Sequence, residues 1–158
     1  MSAHATGDRT GTTTTTRVGL AAVAGIVAGL VFGVLIQVRL ERMTAIGAMY
    51  TLGDPSLTIG WIAHVFHSAL FGAFFGLLAD VERARGVLQN PLGAVGVGAV
   101  YAAGLWAVNI VFVWPVWLNN VGLTADIPLP NLAPMPLVGH VIWGALLGGV
   151  FWVVLRTR

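Results

Sequence analysis

Four long apolar stretches run along this chain, each closed by a short cluster of charged or turn-forming residues. The first covers residues 18–38 and stops at Arg39. The second covers 57–79, between Asp54 and Pro55 on one side and Asp80, Glu82, Arg83 and Arg85 on the other. The third opens at Asn90 and Pro91 and extends to 118; the fourth covers 136–155 and ends before Arg156 and Arg158. Each reaches the roughly 20 apolar residues that a helix needs to cross a bilayer. The pattern predicts helices over about 18–38, 57–79, 91–118 and 136–155. Asn90 followed by Pro91 reads as an N-cap with proline at the first helical position. Pro115 predicts a kink or an end within the third helix. Residues 1–17, with the threonine run 12–16, offer almost nothing to bury and read as a disordered cytoplasmic tail ahead of a membrane domain over 18–158. The first apolar stretch is too long for the core of a cleaved signal and lacks a small-residue cleavage site directly after it, so it is expected to remain as a helix.

Two of these stretches share a phrase. HVFHSALFG at 64–72 returns as HVIWGALLG at 140–148, with His, Val, Ala, Leu and Gly at matching places. This points to an all-α fold, a four-transmembrane-helix bundle built from two parallel-repeat helical hairpins related by an axis along the membrane normal. His64 and His140 then stand at equivalent depth and face the bundle interior.

Small residues mark the packing faces. Ala21, Gly25, Gly29 and Gly33 recur every fourth position on the first helix, Ser68, Gly72 and Gly76 follow His64 on the second, and Gly144 and Gly148 follow His140 on the fourth. That spacing lets backbones approach closely where lipid removes the hydrophobic drive for association. Room for a flat cofactor is the sharper reading of such a face, and close helix contact the plainer one.

Composition narrows the class. With 57% apolar and 9% charged residues among 158, the chain is far from soluble-domain usage. All the basic residues are Arg, and the formal charge of +2 leaves no basic patch for nucleic acid. The absence of Cys removes disulfides, thiolate nucleophiles and cysteine-held clusters. Arginines set the expected orientation: Arg9, Arg17, Arg83, Arg85, Arg156 and Arg158 fall on one side and Arg39 and Arg42 on the other, which predicts both termini in the cytoplasm of a plasma-membrane protein.

The candidate chemistry is histidine. An ionisable side chain within a membrane helix is a functional candidate, and His64 and His140, with His67 one helical turn from His64, are candidate ligands for a transition metal or the iron of a haem. The alternative is that the imidazoles hydrogen-bond across helix contacts, because no carboxylate accompanies them at second-shell spacing. Gln37 and Asn109 read as interhelical hydrogen-bonding groups. With no Asp or Glu inside the spans, a carboxylate proton relay is missing, and no nucleophile elbow, HExxH pair or Walker loop is present. The connections 41–56 and 119–136 are long enough to fold back. Met43, Ile46, Met49 and Tyr50 read as an interfacial turn resting at the headgroups in preference to a lid. Trp61, Trp114, Trp117 and Trp143 read as outer interface anchors, Trp106 as deeper and Trp152 as an inner anchor.

The runs GWIAHVFHSALFGAFFGLL, GAVGVGAVYAAGLWAVNIVFVWP and PLVGHVIWGALLGGVF resemble an uncharacterised family of small prokaryotic four-helix membrane proteins. Gly60, Trp61, Ala63 and His64, and later Gly139 and His140, carry that likeness. The segment ERMTAIGAMYTLG is similar to haloarchaeal members. The resemblance implies a membrane location and supplies no activity. Three functions follow as expectations: a structural, accessory or sensor-type membrane module, with the lipid bilayer and a second copy or another membrane protein as partners; a haem- or metal-binding bundle; and a small oligomeric transporter or channel.

Overall fold

The computed structural model describes residues 13–122 and 127–157. Helix α1, Thr14–Leu35, continues as a π-helical stretch, Ile36–Leu40, and is followed by the short α2, Met43–Ala48. Next come α3, Leu57–Leu78, and the short α4, Glu82–Val87. Helix α5, Pro91–Val108, passes through a second π-helical stretch, Asn109–Val113, into α6, Trp114–Asn120, and α7, Pro134–Arg156, closes the chain. Four of the resulting rods are long and apolar enough to cross a membrane: Thr14–Leu40, Leu57–Leu78, Pro91–Asn120 and Pro134–Arg156. The protein is an all-α four-helix membrane bundle.

Local chemistry explains the boundaries. Helix α1 begins before the expected residue 18 because the threonine run supplies its cap: the Thr13 hydroxyl accepts the Thr16 N–H at 3.2 Å. The expected tail is therefore helical from Thr14, and residues 1–12 lie outside the described residues. Ser56 caps α3 through the Ile59 N–H, and Asn90 caps α5 through the Gly93 N–H at 2.6 Å, with Pro91 in the first turn. Pro115 does not end the third rod. In regular α geometry the Val111 carbonyl would bond to residue 115, which has no N–H to give; that carbonyl instead accepts the Asn131 N–H at 3.0 Å from the loop folding back before α7.

Volumes are arranged inside out relative to a soluble domain. Ala21, Ala24, Ala28, Ala94 and Ala102 are fully buried, whereas Val31, Val34, Ile62, Phe66 and Val100 point outward. Lipid is as apolar as these side chains, so close backbone packing and interhelical hydrogen bonds hold the bundle together. Helix α1 packs along both α3 and α7, and α5 packs along α7. No comparable backbone approach joins α3 to α5, which meet through Tyr101, whose hydroxyl donates to the Phe71 carbonyl at 2.8 Å.

Glycines set the registers. A methyl group on Gly25 would overlap the Ser68 carbonyl, and one on Gly72 the Ala21 carbonyl; on the other hairpin, a methyl on Gly98 would overlap the Gly144 carbonyl and one on Gly148 the Ala94 carbonyl. Thus Ala21 and Gly25 meet Ser68 and Gly72 in the same way that Ala94 and Gly98 meet Gly144 and Gly148. Gly76 rests against Val18 and Ala21 at the start of α1. Phe75 and Phe151, which occupy matching places after the shared phrase, meet edge to face with ring centroids 5.6 Å apart, and both are buried.

Candidate functional site

The gap between α3 and α5 opens into a cavity of about 510 Å³ at the end of the bundle where α2 lies. Its walls come from all four rods, from α2 and from the loop before α7. They are mainly apolar and aromatic, with Phe32, Phe71, Leu105, Trp114, Trp117 and Trp143 contributing large surfaces. The polar side chains bordering it include His64, His67, His140, Ser68 and Asn109.

Both π-helical stretches border this space, through Ile36 and Leu40 on one side and Asn109, Ile110 and Val113 on the other. The offset that carries Gly25 to Gly98 also carries Ile36–Leu40 onto Asn109–Val113. A π turn widens the helix and breaks the regular hydrogen-bond ladder, and such turns are frequent at functional sites.

His64 is buried on α3, and its Nε2 donates to the Gly29 carbonyl of α1 at 2.9 Å. His140 is part-buried on α7, and its Nδ1 donates to the Pro136 carbonyl one turn back at 2.8 Å. A carbonyl oxygen only accepts, so the bonded nitrogen of each ring carries the hydrogen, and in a neutral imidazole the other nitrogen is an acceptor. Those acceptors are Nδ1 of His64 and Nε2 of His140. Among the described residues no sealed-off side-chain nitrogen or oxygen lacks a partner, so both unbonded nitrogens border open space. The two rings flank Phe32, each edge to face with it, at centroid distances of 5.7 and 5.2 Å.

His67 takes a different partner. Its Nε2 lies 2.5 Å from the Tyr50 hydroxyl, and the Tyr50 ring stacks obliquely on Trp117, whose indole N–H donates to the Met49 carbonyl at 2.8 Å. Histidine at 67 thus ties α3 to the α2 segment. The three histidines do not converge: among the described residues no group of three or more His, Asp or Glu is placed to hold a metal ion.

Several expectations are corrected here. The α2 segment packs onto the bundle and does not lie apart from it: Met43, Gly47 and Ala48 are buried, Gly47 lies against the Ser56 carbonyl and Gly60 against the Met43 carbonyl, and Ala45, Ile46 and Met49 close the end of the cavity. Trp143 is not an interface anchor, since it is 3% exposed and its indole N–H reaches the Gly25 carbonyl at 3.4 Å in the bundle centre. Trp106 is tied to the loop end by its bond to the Ala133 carbonyl at 3.2 Å. Gln37 accepts from the Trp61 indole at 2.6 Å, whereas the Asn109 side chain makes no bond to another helix and lines the cavity.

Gly29 and Gly33 of the first stripe lie against Ser68 and against the Trp61 and His64 rings, and Gly144 against Gly98 and Ala102. Sequence reasoning missed Phe32, the π turns and Gly98. The spacing of Ala24, Ala28 and Phe32, and of Ala94, Gly98 and Ala102, carried a signal for two of these.

No family model, curated protein or solved structure matches the chain.

Proposed function

We propose that this chain is an integral protein of the plasma membrane, with both termini cytoplasmic, whose two duplicated hairpins enclose a binding site for a small, flat, lipophilic molecule, and that it acts as the ligand-holding part of an accessory or sensor module. The carrying observation is that equivalent π turns and equivalent histidines from both hairpins border one apolar cavity. Its volume of about 510 Å³ lies within the range of roughly 300–1,000 Å³ typical of small-molecule sites. The duplication is supported by the shared glycine registers and by the Phe75–Phe151 pair.

The two imidazole acceptors call for a ligand that donates hydrogen bonds, such as an aromatic alcohol. Calorimetric titration of the purified protein with a naphthol and with its methyl ether tests this. The naphthol is expected to bind about tenfold more tightly, the equivalent of one hydrogen bond of about 1.4 kcal/mol. Equal affinity for the two defeats the reading.

A haem-binding reading is favoured by one observation, an unbonded Nε2 on His140, a residue that lines the cavity, since a histidine nitrogen is a common axial ligand. A Soret band in the purified protein that disappears in His140→Leu supports it.

A further inference from the structure

A second pocket, of about 230 Å³, lies at the opposite end of the bundle, where α1 starts and α3 and α7 finish. Three arginines from three separate elements border it: Arg17 of α1, Arg85 of α4 and Arg156 of α7. Among the described residues the carboxylate paired with them is Asp80, which bonds to Arg17 and lies 3.3 Å from Arg85. The cluster therefore carries a surplus of positive charge over a floor made by Ala79, Leu88, Phe151 and Leu155.

The guanidinium groups are held in place without being used up. Arg17 is fixed by Asp80, and Arg156 donates to the Gln89 carbonyl while its guanidinium carbon stands 4.8 Å over the Trp152 ring. The Trp152 indole N–H donates to the same Gln89 carbonyl at 3.3 Å, which orients the ring. A guanidinium has five N–H donors, so these bonds leave several from each arginine directed elsewhere. The Arg85 side chain is 54% exposed. Arg85 and Gln89 lie between the second and third candidate spans, Arg17 is in the first turn of the first and Arg156 is the last residue of the fourth, so the pocket lies where the apolar spans end.

We propose that this pocket binds the phosphodiester headgroup of an anionic phospholipid. Planar guanidinium forks match phosphate oxygens in pairs, basic pockets between membrane helices suit anionic headgroups, and the apolar floor accepts the first carbons of the glycerol and acyl chains. The site lies at the other end of the bundle from the histidine cavity and does not depend on what that cavity holds.

The test uses the full chain in a neutral detergent, with thermal stability and native mass spectrometry read against added phosphatidylglycerol, phosphatidylcholine and inorganic phosphate. Phosphatidylglycerol is expected to raise the melting temperature and to remain bound, with an apparent affinity that falls as salt rises. Arg85→Gln with Arg156→Gln is expected to weaken that binding by about tenfold or more, as loss of charge-assisted bonds implies, while Asp80→Asn, which removes the competing carboxylate, is expected to retain it. Should the double variant fail to fold, the salt dependence and the lipid comparison in the unaltered protein still decide. Equal binding of phosphatidylcholine, or binding insensitive to salt, overturns the proposal, and so does full stabilisation by inorganic phosphate alone, which assigns the pocket to a soluble anion.

Discussion

The two hairpins hold their helices at the same glycine positions and then diverge where the cavity begins. In the first, Gly29 of α1 gives way to the larger Ser68 of α3; in the second, Ala102 of α5 projects toward Gly144 of α7. The small and the larger partner have exchanged helices. In the first hairpin His64 lies against α1 and bonds to the Gly29 carbonyl, whereas His140 bonds back within its own helix to Pro136. The connections at the cavity end differ more. After α1 the chain folds α2 onto the start of α3, whereas after α6 it returns as a loop whose Asn131 N–H satisfies the Val111 carbonyl. Matching glycine contacts thus coexist with two different sets of side chains, because close approach constrains only the positions in contact, and the end of the bundle beyond them is free to open into a cavity.

The largest expected effect tests the shared part of the plan. Gly72→Leu and Gly148→Leu each place a branched side chain against a backbone carbonyl, of Ala21 and Ala94 respectively, and each is expected to destabilise the bundle by about 1–3 kcal/mol. Thermal unfolding in detergent should show similar losses for both. An unchanged midpoint for either variant breaks the equivalence of the two interfaces.

A smaller effect sharpens the difference between the histidines. His64→Leu removes a bond between helices and is expected to cost about 0.6 kcal/mol, and at most about 1.7, the range measured for such bonds in membranes. His140→Leu removes a bond within one helix and is expected to cost less. The reverse order in unfolding experiments contradicts the assignment of partners.

The smallest effect concerns the charged end. The first hairpin pairs Arg17 of α1 with Asp80 just after α3, while in the second Arg156 bonds to the Gln89 carbonyl, which does not titrate. The hydrogen bond from Thr14, then Arg17 and Arg85, hold the Asp80 carboxyl below the usual carboxylate range. A lowered carboxylate pKa contributes stability that is complete above the ordinary value and is lost as pH falls through the lowered one. Acidification should therefore lower the melting temperature of the unaltered protein slightly more than that of Asp80→Asn. Parallel pH profiles would show that the pair contributes nothing.

Much of this was legible in the order of residues. The four spans could be read from apolar length, the cap at Asn90 follows from a side chain that competes for free N–H groups, and the rows through Gly25, Gly72 and Gly148 follow from a spacing of one helical turn. Less could be read where the outcome depends on which rods are neighbours. Trp143 has the composition of an interface anchor and the position of a core residue, and only the crossing of α1 with α7 decides between them. The π turns left no mark in the hydrophobic pattern, because a single widened turn shifts the register after it without changing residue type. Phe32 separates the histidine rings for the same reason: its row belongs to α1, while the rings it parts belong to α3 and α7. Histidine spacing along the chain pointed to both rings facing the bundle interior, but not to Phe32 standing between them.

The central claim is that equivalent residues of the two hairpins serve one cavity, and the most direct measurement is the affinity of a naphthol for His64→Leu, His140→Leu and the double variant, with folding checked by circular dichroism. The account predicts that each single change weakens binding several-fold and that the double change is non-additive, because the two rings address one ligand across Phe32. Unchanged affinity in both single variants, with the fold intact, would contradict it.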